Sequence, residues 1–179
     1  MAGVLIRDAT IADAGAIALV NIDCWRETYA GILPDDYLRL LSWEEATENW
    51  KKMWHDEKSP WKVFVAEEDG LIKGFVNIGK SRQPTLSFDG KLYPIGELYS
   101  IYLLREIQGR GIGKKLFKKA HNSLKLNGIK DMYLWVFKDN PAIGFYQYMG
   151  GEECSRRIRD IGGVSVEEVS MVWKKLIWG

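Results

Sequence analysis

The segment Gln108-Gly109-Arg110-Gly111-Ile112-Gly113-Lys114-Lys115 places glycine at three alternating positions and follows them with two lysines. Glycine removes the side chain and opens positive φ, so such a run suits a backbone that bends tightly and lets a ligand approach the main chain. If a helix starts here, its first amides have no intrahelical acceptor and form a site for an anion such as a diphosphate, aided by the helix dipole. Arg110, Lys114 and Lys115 add positive charge around it. Two other phosphate loops do not fit. A Walker loop reads G-x-x-x-x-G-K-[S/T]; counting back from Gly113-Lys114 puts Gln108 at the first glycine, and Lys115 stands where Ser or Thr belongs. The dinucleotide fingerprint G-x-G-x-x-G fails at Lys114 when counted from Gly109 and at Leu116 when counted from Gly111. A plain glycine-rich turn that binds nothing is the alternative.

The surrounding elements must position this loop. Gly3 to Asp8 reads as a short strand. Thr10 with Asp13 resembles a capping box with Asp in place of Glu, so a helix follows, with Ile17, Val20 and Cys24 on one face and Trp25 and Tyr29 near its end. Gly31 ends it, Pro34-Asp35-Asp36 opens another helical piece, and Ser42 caps a helix running to about Trp54. Trp61 to Glu67 alternates as a strand, Asp69-Gly70 is a hairpin turn, and Leu71 to Lys80 returns. Ser81 to Lys91 is a polar connection. Tyr93 to Leu104 is a long strand with Gly96 as its expected bulge. After the glycine loop, Leu116, Phe117, Ala120 and Leu124 recur at helical spacing, and Asn127-Gly128 closes the helix. Asp131 to Phe137 is a buried strand. A short helix from Asn140-Pro141 to about Met149 follows. Glu152–Ile158 and Val164–Leu176 form a hairpin around Gly162-Gly163. The strands on either side of the glycine-loop helix are joined by a crossover and should be parallel; hairpins make the rest antiparallel. The expected class is therefore α/β with a mixed, mostly antiparallel sheet flanked by helices, in one domain over residues 1–179.

Gln108, Gly111 and Gly113 satisfy Q/R-x-x-G-x-G/A, set between a strand and an amphipathic helix. Downstream, Asn140-Pro141-Ala142-Ile143-Gly144-Phe145-Tyr146 through Gly150 follows N-x-x-A-x-x-F-Y-x-x-x-G, with the alanine early at Ala142. On these motifs the chain resembles the GNAT superfamily of N-acetyltransferases from about Leu5 to Trp173. Two departures stand out: Arg105 replaces a proline common after the strand, and Gly151 follows Gly150 where the family usually has phenylalanine. The resemblance implies a sheet splayed between its two central parallel strands, with acetyl-CoA as co-substrate and no metal. Gln108 to Lys114 (with Gly109, Arg110 and Ile112) would hold the diphosphate. The main chain of Ile101, Tyr102 and Leu103 would pair with the pantetheine arm, and Asn140 and Ala142 would contact CoA. The side chains of Ile101 to Leu103 serve equally as core.

Acyl transfer from a thioester to an amine requires a proton to leave the amine and a donor to meet the departing sulfur. The resemblance puts Glu97, on the strand before the loop, in the base role, directly or through water; an enclosed carboxylate beside Tyr99 and Tyr93 suits it. The alternative is a strand-edge glutamate in an ion pair. Tyr146 takes the acid role, or is a core aromatic. Direct attack in a ternary complex needs no enzyme nucleophile, so Cys24 and Cys154, far apart in sequence, are expected to be reduced and structural. Trp25-x-x-x-Tyr29-x-Gly31-x-Leu33-Pro34 resembles a stretch of bacterial-type members whose first helices roof the acceptor cleft. Trp25 and Tyr29, at i and i+4, share a face and either line that cleft or are core.

The expected function is transfer of an acetyl group from acetyl-CoA to a primary amine of a small molecule or peptide. The alternative is a sensor or scaffold that binds CoA without turnover. Net charge is +1, which offers no bulk attraction to nucleic acid or membrane. Residues 1–50 carry nine acidic against three basic side chains, which suits a cationic acceptor, and residues 101–140 carry nine basic against three acidic. The start of the chain lacks a signal-peptide pattern, so a cytoplasmic location is expected. Dimers are common in the resembled family, which leaves a homodimer as one open assembly.

Overall fold

Turn chemistry and alternation build one sheet. In a computed structural model that describes residues 3–55, 62–82 and 95–174, the strands are β1 (Leu5–Asp8), β2 (Lys62–Glu68), β3 (Leu71–Lys80), β4 (Ile95–Leu103), β5 (Asp131–Phe137), β6 (Glu152–Ile161) and β7 (Val164–Trp173). They run in the order β1-β2-β3-β4-β5-β7-β6, and the β4–β5 pair is the parallel one. The helices are α1 (Ala14–Thr28), α2 (Asp35–Arg39), α3 (Trp43–His55), α4 (Ile112–Leu126) and α5 (Ile143–Tyr148). Tyr93, expected beside Glu97, and most of the expected 81–91 connection lie outside the described residues. The β2–β3 turn has φ of 53° at Asp69 and 76° at Gly70, the left-handed pair that a two-residue hairpin needs. The β6–β7 turn does the same with Gly162 and Gly163. Asp13 completes the expected capping box by accepting from the Thr10 amide at 2.7 Å, and Arg7 grips the same carboxylate.

Alternation along β2 sends Phe64 to one face of the sheet and Val65 to the other. Leu116, Phe117, Ala120 and Leu124 of α4 cover the first face together with Leu98, Met132 and Met171. Ile17, Val20, Cys24 and Trp50 from α1 and α3 cover the second, against Val65 and Phe75. A third cluster joins Tyr29, Leu33 and Leu38 to Phe137, Ile161 and Val166 at the β6–β7 end. There the turn sits on α2: a Cβ on Gly162 would fall 2.7 Å from Cγ of Tyr37.

The sheet opens in its middle. β4 pairs with β5 only from Ile95 to Glu97, opposite Asp131 to Tyr133. Beyond that point β4 stays with β3 through Leu103, and β5 stays with β7 through Phe137, but the two part from each other. The bulge that bends β4 is at Tyr99, not at Gly96 as the sequence suggested: Asn77 faces Ser100 while Ile78 faces Leu98, which leaves Tyr99 unopposed. This insertion reverses the strand's alternation, so Leu98, Ile101 and Leu103 all reach the same core. Gly96 has a different task. A Cβ there would lie 2.8 Å from Cδ1 of Leu124, so glycine lets α4 close over the strand.

Gly151 also has a packing reason. A Cβ would fall 2.6 Å from Cζ2 of Trp173, and Trp173 donates its indole N–H to the Met149 carbonyl at 2.9 Å. The Trp173 indole therefore lies against the glycine and fastens the end of α5. Gly151→Ala should lower stability by about 1–3 kcal/mol through overpacking, read as a shift in the urea midpoint with an unchanged m-value; an unshifted midpoint would show that the indole is free to move.

Candidate active site

The glycine loop is a backbone cradle. Gly109 and Gly111 have φ of 70° and 76°, left-handed values that glycine adopts without strain. Gly111 caps α4, and its carbonyl accepts the Lys115 amide at 3.1 Å. The amides of Gly111, Ile112, Gly113 and Lys114 have no backbone acceptor among the described residues, as the start of a helix leaves them. Nothing lies within 4 Å of a Cβ built on Gly109 or Gly111, so the space over the loop is open to a ligand. The turn before the loop forms without the family's proline. Residues Arg105–Ile107 make a single 3-10 turn, and Ile107 is fully buried as its anchor.

Side chains of the loop divide by direction. Gln108 donates from Nε2 to the Leu103 carbonyl at 2.9 Å and ties the loop to β4. Ile112 is buried in the core. Lys114 lines the cleft, with Nζ 3.3 Å from the Tyr148 hydroxyl. The Arg110 guanidinium, expected to add charge around the diphosphate, is paired here with Glu68, its Nη2 2.5 Å from Oε1, and Arg110 is not among the residues that line the cleft. Arg110 and Lys73 together hold the Glu68 carboxyl down at about 2.

From the loop a continuous cleft of about 840 Å³ runs between the parted strands. Ile101, Tyr102 and Leu103 line one wall along the β4 edge that β5 has left, and Leu134 to Phe137 line the other. Ile101 and Leu103 also pack into the core, so their side chains are core residues on a strand edge that lines the cleft.

Glu97 sits where the strands begin to part. It is 3% exposed and lines the cleft. Arg82 meets its carboxylate through Nε, through Nη2 in a very short contact, and through its backbone amide at 3.0 Å. The Tyr133 hydroxyl donates to Oε2 at 2.9 Å and shares a second hydrogen bond with Ser81. Burial pushes the Tyr133 phenol up to about 12, so it remains a donor. Both Glu97 oxygens are thus engaged, and Arg82 rests on the Tyr99 ring at 4.6 Å.

A tyrosine network forms the opposite side. The hydroxyls of Tyr29 and Tyr102 share a hydrogen bond of 3.1 Å, and Asn140 Nδ2 donates to Tyr29 at 3.4 Å. Asn140 Oδ1 accepts the Ala142 amide at 2.8 Å, so this side chain is committed to starting α5; Asn140 and Ala142 both border the cleft. Tyr146 is nearly buried and lines the cleft, and its hydroxyl makes no hydrogen bond among the described residues. Burial, with Tyr29 nearby, raises its pKa well above the ordinary phenol value, which keeps the proton on it. Trp25 borders the cleft edge-on to Tyr29, at 5.1 Å between rings. Tyr29 itself is mainly core, packed on Phe137 at 4.7 Å.

A strand opening after three parallel pairs, with bare amides at one end and a buried carboxylate at the other, is the arrangement that the GNAT resemblance implies. Residues 23–150 match the acetyltransferase (GNAT) family. The chain belongs to the GNAT family. Over 174 residues this GNAT protein is 37% identical to the uncharacterised N-acetyltransferase YuaI of Bacillus subtilis strain 168, covering 97% of this chain and 94% of the relative. It is 28% identical to the spermidine N(1)-acetyltransferase of Thermoplasma acidophilum, over 80% of this chain and 83% of the relative. Its fold superposes with TM-score 0.70 and 24% identity on yncA from Salmonella typhimurium, solved with its cofactor acetyl-CoA, covering 97% and 94% of the two chains. The GNAT protein is an acetyl-CoA-dependent N-acetyltransferase.

Sequence reasoning missed several residues of the cleft, among them the charged Arg82, Arg157, Arg159 and Glu168. Glu168 is 3% exposed on β7 and is met by Arg157 Nε at 2.5 Å and Arg159 Nη1 at 3.2 Å. A signal existed. Counting outward from the two-glycine turn puts Arg157 opposite Glu168. The acidic excess of residues 1–50 misled, because of its nine carboxylates only Glu27 borders the cleft, and Arg105 lies 3.4 Å from it.

Cys24 lies 4% exposed at the cleft wall, and burial pushes its thiol up to about 12, with Glu27 and Asp23 adding to the rise. Its thiolate fraction at pH 8 is negligible, so it is not a nucleophile. At pH 8 an aromatic disulfide reagent should modify one thiol rapidly, the exposed Cys154, and Cys24 only after denaturation. Two fast thiols would contradict the burial of Cys24.

Proposed function

We propose that the protein acetylates a primary amine of a small molecule or peptide by direct attack within a ternary complex, with the acceptor entering beside Glu97. The observation that carries this reading is the single cleft joining the unpartnered amides of Gly111 to Lys114 with Glu97 and Tyr146. The spermidine-acetylating relative supports a small-molecule amine as acceptor. Two free cysteines suit a reducing cytoplasmic setting.

Bound acetyl-CoA supplies an acetyl group activated as a thioester. The loop amides and Lys114 hold the diphosphate, and the open β4 edge at Ile101 to Leu103 offers main-chain groups to the pantetheine arm. Tyr146 donates its retained proton toward the departing sulfur. Glu97 takes up the amine proton, directly or by way of water, as one of the hydrogen bonds from Arg82 or Tyr133 to its carboxylate is given up. Arg82 thereby positions Glu97 and shields its buried charge. Family membership favours turnover over the alternative of a CoA-binding sensor.

Gly111→Asp should lower CoA affinity by at least about tenfold, since it adds bulk and negative charge at an anion cradle. Calorimetry with CoA reads this, and circular dichroism should show the fold retained. Unchanged affinity would remove the loop from the binding site. Tyr146→Phe should lower kcat by about tenfold or more while leaving the KM for acetyl-CoA within about twofold. Equal turnover, followed as thiol release, would leave Tyr146 as a core aromatic.

A further inference from the structure

The carboxylates that line the cleft are all committed. Glu97 is paired with Arg82, Glu27 lies near Arg105, and Glu168 is shared by Arg157 and Arg159. A second ammonium on an acceptor would find no free counter-charge among the described lining residues. The surplus is of the opposite sign. Arg157 and Arg159 together carry two positive charges against the single buried charge of Glu168.

The geometry of this pair leaves donors over. Arg157 gives only Nε to Glu168, and its Cζ stacks 4.0 Å from the Trp135 ring centroid, which fixes the guanidinium plane. Its two Nη groups have no partner among the described residues. Arg159 gives only Nη1 to Glu168. Arg157 and Arg159 line the cleft with side chains 27% and 51% exposed, so a ligand can reach them. A separate observation points to an acceptor atom here. The Trp135 indole N–H, on the same cleft wall, is buried and has no hydrogen-bond partner. Buried donors are nearly always satisfied, and this one, closed to solvent beside the Arg157 guanidinium, is satisfied only when the ring moves to meet an oxygen in the cleft. Planar guanidinium donors match a carboxylate in particular.

We propose that the acceptor is an amine that also bears a carboxylate, an amino acid or a close analogue, and that Arg157 and Arg159 hold that carboxylate while the amine faces the thioester. The proposal rests on the acetyl-transfer reading and names its substrate class. Glu168 is then a positioning residue, which orients the two guanidinium groups and tempers their charge.

Two measurements test it, and they fail separately. The first is thiol release from acetyl-CoA across amino acids, their carboxamides and their decarboxylated amines. The acids should be preferred by about tenfold or more in kcat/KM, as expected when a site is built around a group the analogue lacks. The second needs no turnover: thermal shift of the protein with N-acetyl amino acids against their N-acetyl amides. Acids should stabilise and amides should not. Arg159→Gln leaves Arg157 to neutralise Glu168 and should abolish the difference in both assays. Glu168→Gln frees both guanidinium groups and should tighten binding of the N-acetyl acids. Equal response to acids and amides, or a shift by neither, would overturn the proposal. If no amine of any kind releases thiol, the transfer reading falls, and the thermal-shift arm still decides whether the arginines select a carboxylate.

Discussion

Two strands inside a sheet cannot separate without leaving rows of amides and carbonyls unpaired, and unpaired backbone buried away from water is costly. The parting of β4 from β5 after Glu97 and Tyr133 is the constraint on which the rest of this molecule depends. Each open edge must meet either water or a ligand that pairs as a strand would. The flanking pairs, β3–β4 and β5–β7, remain intact along the opening and carry the sheet across it. The bulge at Tyr99 and the close approach of Leu124 to Gly96 hold β4 in its bent course. The cleft is therefore built into the sheet.

At the inner end of the opening, two buried carboxylates face the gap, and both are matched by arginine. Burying a charge costs several kcal/mol unless it is paired and hydrogen-bonded. Glu97 meets that condition with Arg82 and Tyr133, and Glu168 meets it with Arg157 and Arg159. The tyrosines around them stay protonated because burial disfavours their anions. The cleft thus presents donors of hydrogen bonds rather than bare negative charge.

Much of this was legible in the sequence where local chemistry dictates local shape. The hairpin at Asp69-Gly70, the Thr10–Asp13 capping box and the loop opening α4 all appear where residue type demanded them. Glu97, Tyr146 and the glycine loop come together in one cleft as the family resemblance implied. What escaped was set by register and tertiary contact. The bulge fell at Tyr99 because pairing with Asn77 and Ile78 determines it, whereas a glycine in a strand says only that something approaches closely. Gly151 departed from the family pattern because Trp173, distant in sequence, packs against it. Arg110 paired with Glu68 because that carboxylate, on another strand, was within reach.

The cluster of Tyr29, Leu33, Leu38, Phe137, Ile161 and Val166 is packed apart from the core under α4, and the turn at Gly162 rests on Tyr37 within it. On the proposed reading, the donor grip and the acceptor wall consequently stand on different foundations. Mutational drift in the first two helices and the last hairpin can recut the acceptor pocket while the coenzyme cradle keeps its shape. Such a division lets one scaffold diversify its chemistry towards new amines without first relearning how to hold the thioester.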